Sequence, residues 1–152
     1  MHSLQATLDR VPAMTGAALD NVRAMEKLVG LAPQYEVETH HVIHGGMYCR
    51  TILLPAGHIL TGALVKVPTM LTINGCVGVY LGDAGCVEIS GHAVLPASPG
   101  RKQVFVSHTD TYISMAFATN AQSVEEAEGF MTDEIDNLMS RSNMNTVVIT
   151  GE

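Results

Sequence analysis

The chain has 152 residues, of which 47 % are hydrophobic and only 15 % charged, with a formal net charge of −7. That length suits one domain with a real core. The acidic balance speaks against a nucleic-acid polymer or an anionic membrane as partner. So apolar a chain, with so few charges, predicts self-association into a homo-oligomer.

Charge is unevenly placed. Residues 1–35 carry three acids against three bases, residues 36–119 five against four, and residues 120–152 seven against Arg141 alone. The acidity therefore sits in the C-terminal segment. Cys49, Cys76 and Cys86 form an odd set without paired spacing, each inside an apolar run. They read as reduced, buried thiols of a cytoplasmic protein. MHSLQATLDR lacks the apolar stretch of a signal peptide, and no apolar run reaches the length of a membrane span.

Taken in order, VPAMTG reads as an extended arm of a kind used in subunit exchange. Leu19, Val22, Met25, Leu28 and Val29 then fall near helical spacing over 17–29, with Gly30 as C′ residue and Pro33 forbidding continuation. Tyr35 to Ile43 alternates loosely and predicts an edge strand, turned at Gly45-Gly46. From Tyr48 to Phe117 come short β-type runs: YCRTILL, HILTGALVKV, TMLTI, CVGVYLG, CVEIS, HAVLP, QVFVS and DTYISMAF. They are separated by Pro55-Ala56-Gly57, Asn74-Gly75, Gly82 to Gly85, Gly91, Pro96 to Gly100 and His108 to Asp110. Many short strands at regular spacing predict an all-β barrel or sandwich. Ser123 with Glu126 forms a capping box ahead of VEEAEGF. Thr132, Asp133 and Glu134 open a second helical set toward Arg141, and SNMNTVVITGE is a tail that frays or pairs with a neighbour.

The segment LPAGHILTGALVKVPTMLTING, followed by VGVYLGD, EISGHAVLPASPGRKQVF and DTYISMAF, resembles the cupin superfamily. The resemblance rests on Pro55-Ala56-Gly57, Gly75, Gly91 and Pro96-Ala97 and covers roughly residues 48–118. It implies a mainly β fold, a double-stranded β-helix or jelly-roll barrel with N- and C-terminal helices. The expected division is 1–35 arm and helix, 36–119 cupin-like barrel, and 120–152 acidic helices and tail. The whole chain is also similar to small proteins encoded by bacteriophages and prophages, which implies a host-cell cytoplasm.

Metal-binding cupins place two histidines and a glutamate in the first motif and a histidine in the second. The corresponding places here fall near Thr61, Ala63, Val67-Pro68 and Arg101. None of these supplies a usual transition-metal ligand, so no metal or other cofactor is expected. His40, His41 and His44 cluster in sequence, but adjacent strand residues point to opposite faces, so His40 and His41 cannot chelate together. His58, His92 and His108 stand beside turns. No GxSxG elbow, phosphate loop or local nucleophile–base pair is present, so no catalytic residue is assigned.

The scarce cations carry more information. Arg101 falls where the resemblance aims a pocket side chain, and a guanidinium suits carboxylate or phosphate. Either an anionic ligand or a salt bridge, to Asp83, Glu88 or Asp110, would satisfy it. The expected ligand-binding set is Arg101, Lys66, Tyr48, Thr61, Gln103, His58 and Lys102. The leading function is metal-independent binding of a small anion, as in a phage sponge that sequesters a host nucleotide signal. Two alternatives remain: a cupin-type isomerase, lyase or metal-dependent oxygenase, and a structural phage or assembly protein.

Overall fold

The computed structural model describes residues 8–138 and 145–152. Helix α1 spans Gly16–Val29, and Thr15 caps it by accepting a hydrogen bond from the Ala18 amide at 3.2 Å. Strands follow: β1 (Thr39–His44), β2 (Met47–Leu54), β3 (Ile59–Thr61), β4 (Thr69–Tyr80), β5 (Cys86–Ala97), β6 (Val104–Ser107) and β7 (Thr111–Ala118). Helix α2 covers Val124–Met131 and strand β8 covers Asn145–Ile149. The sheet runs β3-β6-β4-β7-β2-β1-β8, with β5 paired to β4. It curls on itself, and the molecule is a mainly β jelly roll with two accessory helices, as the sequence predicts.

The curl is made at Gly75 and Gly91, which face each other across β4 and β5. Read from sequence as breaks between strands, these glycines instead bend two continuous strands. Before Gly75, β4 pairs with β7; after it, β4 pairs with β6. A Cβ on Gly75 would stand 2.4 Å from Thr111 Oγ1 and 2.8 Å from the Asp110 carbonyl oxygen, at φ 147°. Only glycine allows the strand to change partners there.

Other expectations need correcting. HILTGALVKV forms a strand only over 59–61; beyond it the Gly62 amide donates to the Gln103 carbonyl at 2.8 Å and Val65 bridges Arg101. β1 starts at Thr39 and is not an edge, because β2 pairs with it antiparallel and β8 parallel. The tail thus joins the sheet of its own chain. Gly30 closes α1 in right-handed geometry, φ −63°, rather than as a left-handed C′ residue. The set opened by Thr132 makes one 3-10 turn, Ile135–Asn137, and its continuation to Arg141 lies outside the described residues. The arm lies on its own barrel: Val11 is buried, and its amide donates to the Pro96 carbonyl at 2.9 Å. Cys86 is exposed and Cys49 and Cys76 are half-buried, so the thiols are less enclosed than their apolar runs suggest.

Two apolar clusters fill the interior. One joins Leu54, Leu71, Ile73, Val79, Leu95, Phe105 and Ile113 between the curled faces. The other gathers Ile43, Tyr48, Phe117, Ala127, Met131 and Leu138 where α2 closes an end of the barrel. Burying each large side chain stabilises the fold by about 1.5–3 kcal/mol.

Candidate functional site

A cavity of about 120 Å³ lies between the two clusters. Register places its walls. Arg50, Met115 and Leu71 stand abreast on β2, β7 and β4, and Ile52 and Ile113 form the next row. The Pro96–Gly100 turn ends with Gly100 at φ 84° and delivers Arg101 antiparallel to Val65 at the cavity. Phe105, Leu60 and, from the C-terminal segment, Met131, Asn137 and Leu138 complete the lining.

Arg101 is 1 % exposed. Its Nε donates to Gln103 Oε1 at 3.1 Å, Nη1 to the Ser98 carbonyl at 2.7 Å, and Nη2 to Thr69 Oγ1 at 2.5 Å and Met115 Sδ at 3.6 Å. All four acceptors are neutral. Among the described residues, no ion pair joins Arg101 to Asp83, Glu88, Asp110 or any other carboxylate. Burial lowers the guanidinium to about 10, which leaves it cationic at neutral pH. Its neighbour Gln103 spends its carbonyl oxygen on Arg101, and its buried amide nitrogen Nε2 has no partner among the described residues. An unpaired buried donor costs about 1–3 kcal/mol. The site therefore holds one uncompensated positive charge and one unanswered N–H group.

The other cation in the lining is answered. Arg50 Nη1 meets Glu128 Oε2 of α2 at 3.2 Å, with both side chains largely buried. Among the described residues, no Asp, Glu, His or Cys lines the cavity. The positions that the cupin resemblance assigns to metal ligands do converge in part: Thr61, Ala63 and Arg101 share this wall. The residues present do not fit a metal, since guanidinium, amide and hydroxyl groups replace imidazole and carboxylate.

Of the predicted set, the structure brings together Arg101, Gln103 and Thr61. The other four lie outside the lining. Lys66 is exposed and pairs with Asp133 at 2.6 Å. Lys102 is buried between Glu26 at 2.9 Å and Glu134 at 2.7 Å. Tyr48 is fully buried and donates to His41 Nδ1 at 2.6 Å, and burial pushes its phenol up to about 12. His58 faces the carbonyls of Pro55 and Ala56 at 3.1 Å each. With Thr61 it lines a second, wider cleft of about 510 Å³ beneath α1. Leu60, Thr61 and Asn137 border both spaces, so the cleft adjoins the cavity. Sequence reasoning missed Arg50, Leu71 and Met115 as wall residues. Nothing local shows which of their strand's two faces they occupy, or that three separate strands stand abreast.

No family model matches the chain, and no curated relative does. Several solved structures share its shape. Salicylate 1,2-dioxygenase from Pseudoaminobacter salicylatoxidans is 13 % identical with a TM-score of 0.48, over 74 % of this chain and 34 % of that one. The chain thus spans about a third of the dioxygenase's length. A Cupin 2 conserved barrel domain protein from Salinispora arenicola is 13 % identical, TM-score 0.40, over 63 % of this chain and 76 % of that one. The Cnp3 cupin domain of Schizosaccharomyces pombe is 14 % identical, TM-score 0.43, over 70 % and 80 %. Likeness at this level concerns the fold alone. Among the described residues, no helix is long and apolar enough to cross a membrane.

Proposed function

We propose that this protein binds a small organic anion, a monocarboxylate with an apolar body, inside the barrel. One observation carries the reading: the Arg101 cation and the free Gln103 amide N–H adjoin a cavity that, among the described residues, no acid lines. A carboxylate accepts from two donors at once, and a guanidinium–carboxylate bond is about twice as strong as a neutral one. Leu71, Phe105, Ile113 and Met115 offer the apolar body a dry wall. The sponge idea narrows accordingly. An apolar cavity of roughly 150 Å³ holds one benzene ring, so about 120 Å³ suits a short chain or a partly inserted ring, and suits a whole nucleotide poorly.

The test is a thermal-shift and calorimetric titration with benzoate, butyrate, inorganic phosphate and AMP. Benzoate or butyrate should raise Tm, because selective binding to the native state stabilises it by about 2.7 kcal/mol at a hundredfold excess over Kd. Arg101→Met should lower that affinity roughly tenfold to a hundredfold, the worth of a charged hydrogen bond. No response to either carboxylate would end the proposal. It would leave Arg101 as a latch holding the 96–100 turn to Thr69.

A further inference from the structure

We infer that the outer face of the larger sheet is a homodimer interface, on which a second copy of the chain packs face to face. The six adjacent strands β5-β4-β7-β2-β1-β8 present it. Register carries the same outward parity across the sheet, in rows such as Leu53–Tyr112–Asn74–His92 and Thr51–Ser114–Thr72–Val94. Throughout 40–44, 47–53, 70–74, 92–96, 112–118 and 146–148, no outward position is Asp, Glu, Lys or Arg. Met47, Met70, Val94 and Tyr112 on this face are each about half exposed. The charges begin at its rim, where Glu38 accepts from the Thr146 hydroxyl and Glu152 stands 3.7 Å from His44 Nδ1.

An uncharged centre with its acids kept to the β1–β8 edge fits the anatomy of an interface, and it selects the occupant. A nucleic acid or an anionic lipid surface would call for Lys and Arg, and a basic protein would call for acids on the face. A second copy calls for neither. For a chain of net charge −7, this is a surface on which two copies can meet without opposing like charges. Six strands about 4.8 Å apart, with uncharged runs averaging about five residues at about 3.3 Å each, give roughly 400 Å² of flat footprint. Side-chain relief has to add about half as much again to reach the lower end of specific interfaces, about 600 Å² per partner. Two such sheets pack aligned at about −30°.

Sedimentation velocity of the full chain at micromolar concentration tests this. The wild type should sediment as a dimer. Met70→Glu and Val94→Glu should each shift it at least tenfold toward monomer, with unchanged circular dichroism. Ile59→Glu, on β3 away from this face, should not. A wild-type monomer would overturn the inference and leave the face to a partner of another kind. A dimer that survives both glutamates would overturn it in favour of edge pairing through β8. If one glutamate variant fails to fold, the other and the wild-type mass still decide.

Discussion

At the scale of the residue, the site turns on which donors already have acceptors. Arg101 could be singled out from sequence because cations are scarce and because it follows a Pro–Gly turn. Its neutral partners could not, since Thr69, Ser98 and Met115 reach it from three different segments. Lys66 and Lys102 belong to the same expected set, although an ordinary salt bridge is the favoured reading for Lys102. The fold separates them by giving each lysine a carboxylate. Gln103 offers the sharpest test of this difference. Gln103→Glu would place a carboxylate where the amide now accepts from Arg101 Nε at 3.1 Å. The variant should unfold at higher temperature, because an internal anion now answers the guanidinium. For the same reason it should bind benzoate at least tenfold more weakly. Melting curves with and without benzoate check both halves, and undiminished affinity would exclude Arg101 as the anion's anchor.

At the scale of the element, β-forming residue types between turn residues showed the strands but not which way each one faces, and punctuation misled wherever a glycine bends rather than ends a strand. Gly75 is the test case. Gly75→Ala should cost about 2–4 kcal/mol, since a Cβ there overlaps Thr111 and Asp110 and its φ of 147° is strained for any side chain. Urea unfolding measures it. The tail was the least legible element, because β8 is stabilised by a long-range parallel pairing with β1 that no local pattern signals. His41 shows how it docks. The imidazole is buried, accepts from the Tyr48 hydroxyl on Nδ1, and faces Asn145 Oδ1 of β8 across 2.7 Å from Nε2. Those roles require the neutral ring with its proton on Nε2. Burial holds the His41 pKa below its usual 6.5, although Asn145 pulls the other way. The unfolded chain therefore binds the extra proton first as pH falls. Stability from this group is complete above pH 6.5 and is lost as pH drops from there toward the lowered folded value. Wild-type unfolding free energy should decline over that window, and His41→Gln should flatten this part of the profile. An identical slope in both proteins would assign the dependence to other groups.

At the scale of the whole molecule, the question is what fastens helix α1 and the C-terminal segment to the barrel. Helix α1 buries only Ala18 and Val22, while Met25 and Leu28 stay exposed, so apolar contact alone holds it weakly. Lys102 supplies the remainder. It is 1 % exposed and lies within 2.9 Å of Glu26 on α1 and 2.7 Å of Glu134 in the C-terminal segment. One buried ammonium thus ties both ends of the chain to the strand segment that carries Arg101. A buried ion pair adds little net stability over an apolar replacement, but removing its partners strands a charge at a cost of about 3–5 kcal/mol. Glu26→Gln alone should cost less than that, because Glu134 remains and Glu26 is itself a third exposed. Glu26→Gln with Glu134→Gln should approach about 3 kcal/mol, the lower end of the range. Adding Lys102→Met to that pair should recover most of the loss, because no charge is then left buried. Amide exchange should follow the same order. Residues 16–29 should open readily in the double variant and β4 should stay protected, since the fastening joins the appendages to the barrel and not the barrel to itself. If the double variant matched wild type in both stability and α1 protection, α1 would be held by its two buried side chains after all.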